Sequence, residues 1–217
     1  MQDLSPYLAN TYFIEAKHPA IQSYAQKVTA QAENTAEKVQ ALYYAIRDNW
    51  NYYPYHLRLK KEALRASHIL QKDYGYCVEK SVLFASCLRA IGVPARLGFA
   101  NVRNHLATKK VEEYLRTDLM VFHAYTEVFL HNRWIKLTPV FNKTLCERLN
   151  VAPLDFNGQD EAIFQESDKS GQPFMSYEKE YGHFEDLPLA LFIQELRHYY
   201  PHIFEQRIHS KEVIVDF

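Results

Sequence analysis

The side chain best suited to covalent chemistry in this 217-residue chain is a thiol. Cys77 follows the turn-like run Asp73-Tyr74-Gly75-Tyr76 and opens a stretch, Val78 to Gly92, patterned as a helix. A thiol becomes a nucleophile when its thiolate is favoured and a base lies close. The first turn of a helix helps, because its free N–H groups and the positive end of the dipole face the sulfur. That effect is worth about 0.3–1 kcal/mol at exposed sites. His123, in a separate apolar segment, offers an imidazole to take the proton, and a third polar group would have to orient that ring. The other two cysteines suit packing better. Cys87 lies ten positions deeper in the same helix, and Cys146 sits where the periodicity is weak.

The elements that must position these residues are legible over the first two thirds of the chain. After an irregular start, a short helix is expected near Ile21–Ala32. Asn34 with Glu37 three positions on resembles a capping box, and Val39, Leu42, Tyr43, Ile46 and Trp50 then recur at helical spacing, so Thr35–Asn49 reads as a helix. Tyr52-Tyr53-Pro54-Tyr55 breaks it. A short helix around Ala66–Lys72 precedes the Cys77 helix. In that helix Val78, Val82, Leu83, Ala85, Leu88 and Ile91 form an apolar stripe, while Glu79, Lys80 and Arg89 fall on a polar face. Gly92 supplies a left-handed cap, and Pro94 prevents resumption.

Ala95–Val102 reads as a strand, and Arg103–Thr117 as a polar loop with a helical turn. Val121–Leu130 and Arg133–Thr138 read as a strand pair joined by His131-Asn132. His123, Tyr125, Glu127 and Phe129 share one face of the first strand, and Trp134, Lys136 and Thr138 alternate along the second. Glu127 could meet Lys136 across the pair. Helices followed by strands indicate an α+β fold, with the Cys77 helix packed on an antiparallel sheet. Beyond Lys143 the pattern fades: Leu154–Pro188 is largely aperiodic, then a helix over Leu189–Tyr199 stopped by Pro201, and a last strand over Val213–Phe217.

Composition narrows the function classes. Hydrophobic residues at 47 % support a substantial core, and 25 basic against 26 acidic residues leave a net charge of −1. That balance gives no support to nucleic acid as the main partner, since phosphate binding needs a cationic field. The length favours one domain over 1–217, with a core of about 35–142, an N-terminal helical segment and a C-terminal extension over 143–217. Three cysteines close no disulfide framework, and the absence of CxxC or paired Cys/His spacing argues against structural zinc. No cofactor is expected, nor calcium-loop spacing. The start carries no basic-then-apolar signal and Leu187–Ile193 is too short to span a bilayer, so the expected setting is cytoplasmic and reducing, away from membrane.

Two linked motifs, GYCVEKSVLFASCLRAIGVPARLGF and VFHAYTEVFLHNRWIKLTP, resemble the transglutaminase-like domain of the papain-like cysteine protease and transglutaminase superfamily. The resemblance covers roughly Thr35–Asn142. It implies a papain-like core, Cys77 as nucleophile and His123 as base. The Asp that usually completes the site falls at Thr138, which can accept a hydrogen bond but carries no charge. Asn142 is a second candidate to orient the ring, as in Cys-His-Asn arrangements, and is favoured modestly because a turn after Pro139 could return it to the site. An oxyanion hole would use the Cys77 N–H, with Tyr53 as side-chain donor in the region where the family often has a Tyr. Trp134 would pack on the strand pair and shield the His contact, and Arg96 would be structural. Arg103, His105 and Lys109-Lys110 could border a cleft. The implied activity is thioester-forming hydrolysis or transamidation of a peptide, protein or small amide substrate, with hydrolysis favoured. The alternative is a degenerate domain that keeps the fold and binds a peptide or protein.

Overall fold

A computed structural model describes residues 2–54, 56–105, 109–205 and 214–216. The elements run α1 (Pro19–Val28), α2 (Thr35–Asn49), β1 (Asn51–Tyr52), β2 (His56–Arg58), α3 (Ala66–Ile69), β3 (Tyr74–Gly75), α4 (Cys77–Ala90), β4 (Ala95–Asn104), α5 (Lys109–Leu115), β5 (Leu119–Leu130), β6 (Arg133–Leu137), α6 (Lys143–Arg148), β7 (Met175–Phe184), α7 (Leu189–Tyr199), α8 (Pro201–Glu205) and β8 (Ile214–Asp216). Two short 3-10 turns, Ser5–Leu8 and Lys61–Leu64, complete the order. The fold is α+β: an antiparallel sheet ordered β6-β5-β4-β7, with α4 packed on it.

α2 begins where its cap requires. The Asn34 side chain accepts from the Glu37 N–H at 3.0 Å, and the Glu37 carboxylate accepts from the Glu33 N–H at 2.7 Å. At the far end of α4, Gly92 takes φ +79, the left-handed conformation that a glycine adopts without strain. The β5–β6 hairpin turns on His131 and Asn132, both at positive φ. Gly98 on β4 lies opposite Tyr125, and a Cβ there would sit 2.1 Å from the tyrosine ring, so only glycine admits that ring.

Two expectations are corrected. The segment before α7 is not aperiodic throughout, because Met175–Phe184 forms β7 and pairs with β4 along the sheet edge. Its outward side chains are charged and exposed, which hides the strand from an apolar pattern. The polar face of α4 does not exist as such: Cys77 through Arg89 are all buried. Lys80 reaches three main-chain carbonyls, Arg47 at 2.9 Å, Trp50 at 2.7 Å and Val140 at 2.7 Å. Arg89 reaches those of Ala95, Ala9 and Glu185. Glu79 pairs with Lys72 and accepts from the Tyr76 N–H at 3.3 Å. Buried charges are tolerated when fully hydrogen-bonded, and here backbone supplies most of the partners. Pro201 starts α8 as well as ending α7.

Candidate active site

Cys77 is the first residue of α4 and 8 % exposed. The N–H groups of Ala124, Val78 and Cys77 itself favour the thiolate. Burial outweighs them, Glu79 adds to it, and the thiol is pushed up to about 11. Cys77 opens α4, and α4 packs on β5, the strand that carries His123. His123 is 4 % exposed, and burial pushes its imidazole down to about 4. Among the described residues no hydrogen bond joins the two side chains. At neutral pH the two residues therefore rest as a thiol and a neutral imidazole.

A β-bulge re-aims His123. Ala100 pairs with His123 and Val102 with Met120, so Asn101 alone stands against Val121 and Phe122. Phe122 takes φ +61, a conformation that costs a bulky residue of order 1–3 kcal/mol and persists only when its surroundings over-determine it. They do. Its N–H donates to Asn101 Oδ1 at 3.0 Å, and its ring stacks on Phe99 and Phe192 at centroid distances of 4.4 and 5.3 Å. Tyr200, just after α7, clamps the other bulge residue: its hydroxyl accepts from the Val121 N–H at 2.8 Å and donates to the Leu119 carbonyl at 2.6 Å.

The two candidates for orienting the ring part company. Asn142 turns away: its Oδ1 accepts from the Tyr52 N–H at 3.0 Å and its Nδ2 donates to Thr144 Oγ1 at 2.7 Å. The return after Pro139 serves to fix β1, and among the described residues His123 Nδ1 is without a partner. Thr138 is brought near. It follows β6, whose Leu137 pairs with Thr126, and it shares with His123 a small cavity of about 10 Å³.

Tyr53 lies beside the nucleophile's turn, its N–H donating to the Gly75 carbonyl at 3.1 Å. Its side chain is 41 % exposed and meets Tyr74 edge-on. Trp50 donates its indole N–H to the Ile69 carbonyl at 3.2 Å. Cys87 and Cys146 are buried free thiols, as packing predicts.

The remaining assignments shift. Glu127 stands opposite Lys136 in the strand pair, as expected, but its ion pair is with Arg96, while Lys136 reaches Glu180 at 3.0 Å. Trp134 stacks over Arg96 at 4.0 Å and meets Phe129 and Tyr7, which puts it roughly 20 Å along β5 from His123, so it shields no contact there. Arg103 is held by Asp118 and Glu178, and His105 reaches Ser176 at 3.1 Å; the Lys109-Lys110 side chains lie outside the described residues. Sequence reasoning missed Asn101 and Tyr200. Neither carries a local signal, because each acts through partners far along the chain. Among the described residues no group of three or more His, Cys, Asp or Glu could hold a metal ion, and no helix is long and apolar enough to cross a membrane.

A model of the transglutaminase-like superfamily matches residues 22–139, more than half of the chain. The chain belongs to that superfamily. Among solved structures this transglutaminase-like chain is similar to a candidate cysteine protease from Cytophaga hutchinsonii. The identity is 21 %, the TM-score 0.50, and the match covers 85 % of this chain and 55 % of that one. It is also similar to a candidate protease from Parabacteroides distasonis ATCC 8503, with 17 % identity, a TM-score of 0.41, and coverage of 61 % and 26 % respectively. The transglutaminase-like chain thus spans about half the length of the first structure and a quarter of the second, and the likeness to the first is one of fold. No curated protein matches it in sequence.

Proposed function

We propose that this chain is a cysteine-dependent hydrolase that cleaves a peptide or carboxamide bond through a Cys77 thioester. One observation carries the reading: Cys77 is the first residue of α4, and α4 packs on β5, the strand that carries His123. In the proposed cycle His123 takes the thiol proton as the sulfur bonds to the substrate carbonyl carbon. The tetrahedral oxyanion is held by the Cys77 N–H. The C–N bond then breaks, and the departing amine or ammonia leaves with the proton from His123. Water attacks the thioester, gives a proton to His123, and the thiol is restored as the acid departs. An amine in place of water gives transamidation. The substrate is a peptide, protein or small amide, and the proposed setting is cytoplasmic, where the three thiols stay reduced.

A second reading has its own support. Burial leaves thiol and imidazole both uncharged at rest, and His123 Nδ1 meets no carboxylate among the described residues. A degenerate domain that binds a peptide or protein would look the same.

Alkylation of Cys77 by iodoacetamide across pH 4–10, read by peptide mass analysis, separates the two. The enzyme reading expects a reactive limb below the ordinary thiol range of about 8.5, lost in His123→Ala. A single rise towards pH 11, the same in both proteins, favours the binding module. Amidated peptides with and without an amine acceptor then tell hydrolysis from transamidation.

A further inference from the structure

Two buried polar atoms on one cavity have no hydrogen-bond partner among the described residues, His123 Nδ1 and Thr138 Oγ1. Both residues are 4 % exposed, and both line the same cavity of about 10 Å³. The Thr138 backbone is fully used, its N–H donating to the Ala162 carbonyl at 2.8 Å and its carbonyl accepting from the Val140 N–H at 2.8 Å. Only the hydroxyl is left to serve the cavity. Most of the rest of the wall is apolar, including Val140, Phe141, Leu154 and Met175. Gln165 also lines it, but its Nε2 donates to the Ala152 carbonyl at 2.8 Å. A single water needs a space of about 10–15 Å³ and at least two polar partners. This cavity offers both.

We propose that the cavity holds one water that accepts from His123 Nδ1–H and donates to Thr138 Oγ1, making Thr138 a positioning residue for the imidazole. The inference rests on the reading of His123 as the base. With the relay directed this way the ring carries its proton on Nδ1 and keeps the Nε2 lone pair for the thiol proton. A water relay differs from a carboxylate in one respect. It orients the ring without adding a charge to stabilise imidazolium, so the site works as a neutral pair in which the proton moves only as the sulfur attacks.

The test is the His123 tautomer, read by long-range nitrogen–proton NMR on protein labelled at histidine nitrogen. Wild type is expected in the Nδ1–H form, with a cross-peak from that proton to a bound water. Thr138→Val, which keeps the shape and removes the hydroxyl, is expected to shift the ring towards the Nε2–H form, and Thr138→Ser to restore it. The His123-dependent limb of Cys77 alkylation should fall about tenfold in Thr138→Val and recover in Thr138→Ser. An Nε2–H ring in wild type, or a tautomer indifferent to Thr138→Val, overturns the relay. The two proposals fail separately. A tautomer that follows Thr138 in a protein whose Cys77 never reacts through His123 sinks the hydrolase and leaves the relay. A reactive Cys77 with an indifferent tautomer does the reverse.

Discussion

His123 carries a consequence for stability that is independent of catalysis. Burial holds the folded-state imidazole near 4, below the unfolded value of about 6.5. The unfolded chain therefore binds the proton first as the pH falls. The stability contributed by the neutral ring is complete above pH 6.5 and is lost progressively down to about pH 4. The loss is roughly 3 kcal/mol, at about 1.36 kcal/mol for each pH unit between the folded and unfolded values. Urea midpoints measured from pH 7 to 4.5 should fall accordingly, and in His123→Gln that component of the slope should vanish. An unchanged slope would mean the ring reaches solvent in the native state. The same burial sets the acid edge of any His123-assisted reaction. The base stays unprotonated until near pH 4, so the acid limb of the alkylation profile is expected well below the ordinary histidine range. Cys77 and His123 stood out in the sequence through the two linked motifs that resemble the superfamily, since a thiol at a helix start or one histidine among ten is by itself as readily structural. Asn142 misled, because an amide after Pro139 can orient a ring or fix a neighbouring strand, and only the distances distinguish the two.

The bulge in β5 is where element geometry meets the site. Tyr200→Phe removes the hydroxyl that serves both Val121 N–H and Leu119 carbonyl, and two buried backbone groups lose a partner. A loss of about 1–3 kcal/mol in equilibrium unfolding is expected. Because the bulge aims His123, the His123-dependent alkylation of Cys77 should fall further than the stability loss alone explains. A variant that loses stability but keeps its reactivity would show that Asn101 and the aromatic stack suffice. The elements that announce themselves in the sequence do so by local chemistry: the Asn34–Glu37 cap sets the start of α2, and His131-Asn132 sets the hairpin. The bulge has no such mark, since its left-handed residue is a phenylalanine. β7 is hidden for a related reason. Only its pairing to β4 makes Met175–Phe184 a strand, and pairing between residues about 80 positions apart leaves no local pattern.

Taken as a whole, the molecule does not divide at Asn142. The segment beyond it supplies β7 to the sheet and Tyr200 to the bulge. A chain ending at Asn142 uncovers the edge of β4 and should aggregate or lose its cooperative transition, which circular dichroism and light scattering will show. Lys80 ties the end of α2, the residue before β1 and the segment after β6 to the first turns of α4. Burial pushes its ammonium down to about 7, while the three carbonyls favour the charged form. Lys80→Met leaves three buried carbonyls without that donor, and a loss of about 3–5 kcal/mol is expected in urea unfolding. A change below about 1 kcal/mol would mean that other donors replace it. Because Lys80 and Arg89 both grip main chain, the identities of the residues they hold carry no information for them. In a saturation screen, positions 80 and 89 should therefore be intolerant while Arg89's partner positions 9, 95 and 185 admit substitutions freely wherever the new side chain fits. Such one-sided dependence would be invisible to any method that infers contacts from paired changes in sequence.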